Sequence, residues 1–257
     1  MLRRGRAGAR LRPGQGRVTR RVVFAWLVHL YTATGAALAA WALLAVFAGD
    51  YRLTWVLISA SIFIDSTDGV LARAAHVKTV LPGFDGRRLD DIVDYLCWVF
   101  VPVVFLVHAG MLPAWAAIAP LVASGYGFGQ ADAKTEDHYF LGFPSYWSIV
   151  AFILYEFAAP QAVTLPLILF LSVMVFVPIR YPYPSRMRVL RTPTILLGIP
   201  WSIIGLILVA LLPERPRWLA LLYCYYLVYY AGLTAYLAWR RRARSHAARR
   251  GAGSEVA

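Results

Sequence analysis

The sequence predicts an all-α fold: a polytopic bundle of about eight membrane-spanning helices with both termini in the cytosol. Three observations predict it. Apolar residues make up 60% of the 257-residue chain and charged residues only 15%, which is the composition of a polytopic membrane protein rather than a soluble domain. The apolar residues fall into eight runs separated by polar or Pro/Gly-containing breaks. The basic residues are distributed asymmetrically. With both ends inside, the outer loops carry Arg52, Arg215 and Arg217, and the remaining lysines and arginines lie on the inside or at its edge.

The elements follow in chain order. Residues 1–21 form a basic cytosolic arm with eight arginines. The apolar run after it is about 25 residues long and lacks a small-residue cleavage site, so it reads as a first span and not as a signal peptide. That span, 22–47, is interrupted in its first half by His29, Tyr31, Thr32, Thr34 and Gly35. A second span, 53–75, carries Asp65, Asp68 and Arg73 toward its far end. The loop 76–88 contains the helix breakers Pro82, Gly83 and Gly86. Spans 89–108 and 112–130 follow, then a polar loop reading ADAKTEDHYFLGFPS. Spans 146–159 and 162–179 are a short-linked pair broken at Pro160, and the segment RYPYPSRMRVLR leads into spans 194–212 and 218–239. Residues 240–257 form a second basic tail, which makes 22–239 the membrane domain.

The net charge of +13 is concentrated in the two ends, six arginines lying in 240–250. Beside a membrane domain such arms mark cytosolic ends near anionic lipid, so nucleic acid is not an expected partner. Cys97 and Cys224 both lie within apolar runs and read as small buried hydrophobes.

Four aspartates organise the rest. Asp65, Asp68, Asp90 and Asp94 lie inside or at the edge of two apolar spans. An ionised carboxylate at the bilayer centre costs at least ~2.5 kcal/mol, so four at nearly one depth call for a compensating cation. Spacings of three and four residues put each pair on one helix face. Oxygen-only ligands select hard cations, Mn2+ or Mg2+, over zinc. The topology places these residues near the inner face, and nine of the thirteen acidic residues lie between Asp65 and Asp137, so a reaction centre opens to the cytosol. Gly69, Ala72 and Gly86 allow close approach to the backbone, and Arg73 offers a forked donor suited to phosphate. Carboxylates, metal, small residues and one arginine together describe a pyrophosphate site.

The pattern Asp65-x2-Asp68-Gly69-x2-Ala72-Arg73, then Gly86-x3-Asp90-x3-Asp94, resembles the signature of the CDP-alcohol phosphatidyltransferases. The twelve residues between Arg73 and Gly86 exceed the usual family spacing. That longer loop, the sequence LPGFDGRRLDDIVDY, the later AKTEDHYFLGFPSYW and RYPYPSR look like the choline-accepting bacterial branch of the family. The resemblance runs from about Trp26 to Pro193. It implies an inner-membrane transferase that moves the phosphatidyl group of CDP-diacylglycerol to choline and releases CMP, with Mn2+ or Mg2+ as two ions. It makes Asp65, Asp68, Asp90 and Asp94 metal ligands, with Asp94 also the catalytic base. It places Gly69, Ala72, Arg73 and Gly86 against CDP-diacylglycerol. His29 and Thr32 occupy the place of a polar motif on the first span that touches the nucleotide-lipid, although relatives carry asparagine where His29 stands. Thr79 is a further candidate for that ligand.

A quaternary ammonium is held over aromatic faces, often with a carboxylate nearby. The two cytosolic loops offer Glu136, Asp137, Tyr139, Tyr146, Trp147 and Tyr183 for choline, set against the reading of an interfacial aromatic belt. Asp91 faces away from Asp90 and Asp94 and reads as a supporting or interfacial residue, and Glu156 reads as an interhelical hydrogen-bonding group. The tyrosines at 223, 225, 226, 229 and 230 fit packing or a homodimer seam. Two alternatives remain: the same enzyme class with serine, glycerol phosphate or inositol phosphate as acceptor, and a cation- or proton-coupled transporter. One lysine against three acids in ADAKTEDHYF favours choline over a phosphorylated acceptor. Gly69, Ala72 and Arg73, with no clear internal repeat, argue against transport.

Overall fold

A computed structural model of the chain describes residues 13–130, 139–184, 187 and 189–254. Among the described residues, five helical stretches are long and apolar enough to cross a membrane: Arg20–Phe47, Tyr51–Ala74, Gly86–His108, Arg191–Leu211 and Arg217–Arg241. The first belongs to α1 (Pro13–Phe47), and the second is α2 (Tyr51–Ala74). The third is composite: α4 (Gly86–Asp94), a π-helical turn (Tyr95–Phe100) and α5 (Val101–His108). Pro102 has no N–H to return to the carbonyl of Trp98, four residues back, and its ring crowds that carbonyl, which accounts for the widened turn just before it. The fourth is α9 (Arg191–Leu211); the fifth joins α10 (Arg217–Tyr223) to α11 (Tyr225–Ser254).

Three of the eight runs read from the sequence form shorter helices: α6 (Ile118–Gly129), α7 (Trp147–Glu156) and α8 (Gln161–Met174). At 1.5 Å per residue the longest of them, 14 residues, reaches only about 21 Å. Helix also extends past the expected domain edges, α1 starting at Pro13 and α11 ending at Ser254.

The loops after α1 and before α4 use local capping. Gly49 takes φ +73° in the turn after α1, and Asp50 accepts a hydrogen bond from the Leu53 N–H at 2.9 Å to start α2. Asp85 accepts from the N–H groups of Arg87 and Arg88 and starts α4. The short α3 (Val77–Val80) lies between them. The core collects Trp55, Phe105, Phe152, Tyr155 and Tyr223 edge to face, with ring centroids 4.9 to 5.8 Å apart. Side chains as large as Trp41, Phe63, Trp218 and Val228 face outward, as a lipid-facing surface requires.

One feature departs from an all-α bundle. β1 (Tyr139–Leu141) pairs antiparallel with β2 (Arg180–Pro182), Phe140 opposite Tyr181. This small ribbon ties together the two polar loops that the sequence presents as separate. The tyrosines of α10 and α11 bind within the chain: Tyr223 and Tyr226 stack on Trp201 at 4.9 and 5.0 Å, Tyr229 meets Thr194 at 2.7 Å, and Tyr230 donates to the Pro182 carbonyl at 2.8 Å. These contacts favour their role in packing over a dimer seam.

Candidate active site

The carboxylates lie where α2 ends and α4 begins, on the same end of the bundle. Oxygens of Asp65, Asp68 and Asp90 lie within 4.8 Å of one another, Asp68 buried and the other two half-buried. Three charges that close repel one another by at least about 3.5 kcal/mol per pair at an effective dielectric of ~20. An all-oxygen donor set of this density fits a hard divalent cation. Asp94, one turn beyond Asp90, is not part of the converging set; it and Asp65 both lie within electrostatic reach of the Cys97 thiol, which is buried against α1 with its S–H on the Gly35 carbonyl. Cys97 is thus the buried hydrophobe expected of it, while Cys224 is half-buried.

Helix α1 contributes no acid yet shapes the cluster. Thr32 Oγ1 donates to Asp68 Oδ2 at 2.7 Å, a charge-assisted bond between buried groups. Tyr31 meets Thr67 at 2.8 Å and locks the same two helices. The two glycines facing α1 and α4 permit close approach. A Cβ on Gly35 would stand 2.5 Å from Val93 Cγ1, and one on Gly86 would stand 2.5 Å from His29 Cε1. His29 is buried, its ring 4.6 Å from that of Phe84, and its Nε2 has no hydrogen-bond partner. The structure therefore gives Gly86 a steric partner within the chain.

The remaining phosphate candidates separate. Arg73 is exposed and folds back along α2, its Nη1 3.3 Å from where a Cβ on Gly69 would be. Ala72 packs with Ala25, Val28, Ala75 and Val77 at the α1–α2 contact. Thr79 is exposed on α3.

Of the aromatic candidates, Tyr146 and Tyr183 fall into one row of rings with Phe140 and Trp98. Trp98 Nε1 donates to Asp65 Oδ2 at 3.2 Å. The Trp98 ring lies 5.6 Å from Tyr146, Tyr146 lies 6.3 Å from Phe140, and Phe140 lies 4.7 Å from Tyr183. Tyr139 sits apart, with the Arg241 guanidinium 3.7 Å from its ring centroid. Trp147 is a core residue: it is fully buried, and its indole N–H is committed to Ser124 Oγ at 2.7 Å. Glu136 and Asp137 lie outside the described residues. Tyr181 on β2 is half-buried, and that burial raises its phenol above the ordinary value, so it stays neutral. Asp91 pairs with Arg87 at 3.9 Å and borders a recess of about 60 Å³ with Phe128, Phe140 and Phe143.

Trp98 is the residue that sequence reading passed over. Trp98 continues the Asp90–Asp94 row at the next i+4 position, a signal that was available. Phe140, one of the loop aromatics weighed for choline, reaches Tyr183 and Tyr146 with the help of the β1–β2 pairing, which connects residues 39 to 43 apart and has no local signature.

A second cavity, of about 220 Å³, opens between α2, α7 and α9. Ile58, Ile62, Phe152, Leu206 and Val209 line it together with exposed Phe63 and with Trp98, the residue bonded to Asp65. Three of the residues that line it each carry a buried donor without a hydrogen-bond partner: Trp55 Nε1, Trp201 Nε1 and Ser148 Oγ. Buried donors without acceptors are costly, so an apolar ligand whose carbonyl oxygens reach them through small side-chain shifts suits this cavity.

Comparison with known proteins points the same way. No family model matches the chain. The phosphatidylcholine synthase of Legionella pneumophila is 44% identical over 177 residues, 67% of this chain and 69% of that protein. The phosphatidylcholine synthases of Rhizobium meliloti and Pseudomonas aeruginosa are each 34% identical over 202 residues, covering 76% and 77% of this chain and 82% and 85% of theirs. With these identities, and with Asp65, Asp68 and Asp90 converging between α2 and α4, the chain belongs to the bacterial phosphatidylcholine synthase family, within the CDP-alcohol phosphatidyltransferases.

Proposed function

We propose that the protein transfers the phosphatidyl group of CDP-diacylglycerol to choline, forming phosphatidylcholine and releasing CMP. The observation that carries this reading is the convergence of Asp65, Asp68 and Asp90 within 4.8 Å, beside an aromatic row on one side and an apolar cavity on the other. The choline oxygen forms a bond to the phosphorus that carries diacylglycerol, and the bond from that phosphorus to the CMP oxygen breaks. The hydroxyl proton passes to Asp94, the base on the turn after Asp90. Asp65, Asp68, Asp90 and Asp94 are the residues that would hold Mn2+ or Mg2+, two ions in all. When bound, such ions neutralise charge on the pyrophosphate and on the departing CMP. Gly69 leaves space for Arg73, whose fork suits the nucleotide phosphates. Thr32 keeps Asp68 aimed into the cluster.

The lipid's glycerol esters and acyl chains are assigned to the 220 Å³ cavity, whose donors Trp55, Trp201 and Ser148 would meet ester carbonyls. The acceptor is assigned to the aromatic row that runs from Trp98 through Tyr146 and Phe140 to Tyr183, whose rings offer faces to a cationic head. Counting α6, α7 and α8 with the five full-length spans gives eight crossings in the bacterial inner membrane, both termini cytosolic, and a site open to the cytosol where choline arrives.

The test is incubation of membranes containing the protein with CDP-diacylglycerol, labelled choline and Mn2+, with and without chelator. Labelled phosphatidylcholine that disappears on chelation and returns with excess Mn2+ or Mg2+ is expected. Product insensitive to chelation would remove the metal assignment, and product from serine but not choline would change the acceptor.

A further inference from the structure

Choline's hydroxyl and its quaternary nitrogen are only two carbons apart. The ring that holds the ammonium must therefore stand next to the carboxylates that face the hydroxyl. Tyr183 is three rings removed from Asp65 and Phe140 two, whereas Trp98 is joined to Asp65 directly, by the 3.2 Å bond from Nε1 to Oδ2. That N–H lies in the plane of the indole, so the bond itself occupies neither ring face. Trp98 also turns toward Tyr146, at 5.6 Å and a tilt of 51°, which makes two walls of an angled aromatic corner. Its third contact is with the cavity assigned to the lipid, which it helps to line. One side chain thus touches the carboxylate cluster, the aromatic row and the cavity assigned to the phosphatidyl donor.

We propose that Trp98 determines acceptor specificity: its indole face, with Tyr146, holds the quaternary ammonium of the acceptor, and its N–H fixes the orientation of Asp65. This inference rests on the reading of choline as acceptor. Trp is the strongest ring for a cation, and a desolvated contact of this kind is worth about 30-fold in affinity. Loss of a hydrogen bond to a charged partner is worth about tenfold or more. The two roles separate by substitution.

The experiment uses purified full-length protein in detergent with CDP-diacylglycerol and Mn2+. Trp98→Phe keeps an aromatic face and removes the donor; it is expected to lower kcat about tenfold while holding the choline KM within about threefold. Trp98→Leu removes both and is expected to raise the choline KM about 30-fold with the CDP-diacylglycerol KM within about threefold. It should also flatten the preference for choline over ethanolamine, whose primary ammonium can hydrogen-bond instead. A readout independent of turnover is protection by tetramethylammonium, which has the head without the hydroxyl. It should raise the thermal midpoint of wild type and Trp98→Phe and leave Trp98→Leu unmoved. Should Trp98→Leu fail to fold, Trp98→Phe decides alone, because a general structural defect would raise both KM values together and overturn the proposal. An unchanged choline KM in Trp98→Leu, or equal protection of all three proteins by tetramethylammonium, also overturns it. Failure of the underlying reading looks different: wild type itself would make no lipid from choline.

Discussion

Gly86 belongs to the family pattern, and the structure assigns it a physical reason that can be tested separately from nucleotide contact. In α4, Gly86 is the first helical residue and its φ is not positive, so alanine fits the backbone and gains up to about 1 kcal/mol of helix propensity. Sterics point the other way. The new Cβ would lie 2.5 Å from His29 Cε1 and 3.0 Å from Nδ1, and the ring cannot swing clear because it is buried with Phe84 4.6 Å away and Trp26 6.0 Å away. Overpacking of this kind costs about 1–3 kcal/mol. Gly86→Ala is therefore expected to be a net destabilisation of up to about 2 kcal/mol, a fall in thermal midpoint of up to roughly 8 °C for a domain of this size. It should also lose transferase activity, since α4 carries Asp90. The decisive assay is a double-mutant cycle with His29→Ala, which removes the obstructing ring. Thermal midpoint and activity are measured for the four proteins, and Gly86→Ala is expected to be near neutral in the His29→Ala background. A stabilised Gly86→Ala, or one that loses activity equally whether or not His29 is present, would refute the steric account and return Gly86 to the nucleotide.

Other expectations follow from the same geometry. Replacing Asp65, Asp68 or Asp90 singly by Asn should lower kcat at least ~100-fold while leaving the thermal midpoint level or higher in metal-free protein, because each change relieves repulsion within the 4.8 Å cluster. Thr32→Val should cost about tenfold in kcat, with Thr32→Ser restoring most of it, since the hydroxyl donates to Asp68 at 2.7 Å. Trp55→Phe or Trp201→Phe should raise the CDP-diacylglycerol KM several-fold with the choline KM unchanged, as read in mixed micelles. Tyr146→Leu should do the reverse, and equal effects of Tyr146→Leu on both substrates would remove Tyr146 from the acceptor site.

Much of this centre was legible from spacing alone. Asp65 and Asp68 at i, i+3 and Asp90 at the start of the next apolar run needed only helix periodicity and the cost of buried charge. Span lengths were less legible, because α7 and α8 are apolar like full spans and differ from them only by where Pro160 and the chain around it interrupt helix. Tertiary pairing lay furthest from reach. Nothing local in YFL or RYP announces a strand pair across 40 residues, so the sequence offered two aromatic loops and the structure made one. Trp147 illustrates the same limit in reverse. Its neighbours in sequence are candidate cage residues, yet the turn at Ser145, with φ +57°, sends Tyr146 to the aromatic row and Trp147 into the core against Ser124.

The first helix holds none of the acids, yet it sets the spacing of the two helices that do. Two acidic pairs on adjacent helices would by themselves drive those helices apart, each close carboxylate pair repelling by several kcal/mol. What opposes separation is contact that needs no charge. Val93 sits against Gly35, His29 against Gly86, Tyr31 against Thr67, and Ala72 and Ala75 against Ala25 and Val28. Helix α1 thus grips α2 through small residues and a hydroxyl pair, and grips α4 through two glycines, holding both at the separation where three carboxylates share one volume. On this argument Gly35→Leu, far from any substrate, should reduce metal affinity: the Val93 clash at 2.5 Å must push α4 outward and carry Asp90 with it. Isothermal titration of Mn2+ into Gly35→Leu and wild type measures the effect. A fall of tenfold or more is expected, and an unchanged affinity in a folded variant would mean that α2 and α4 hold the cluster together without α1.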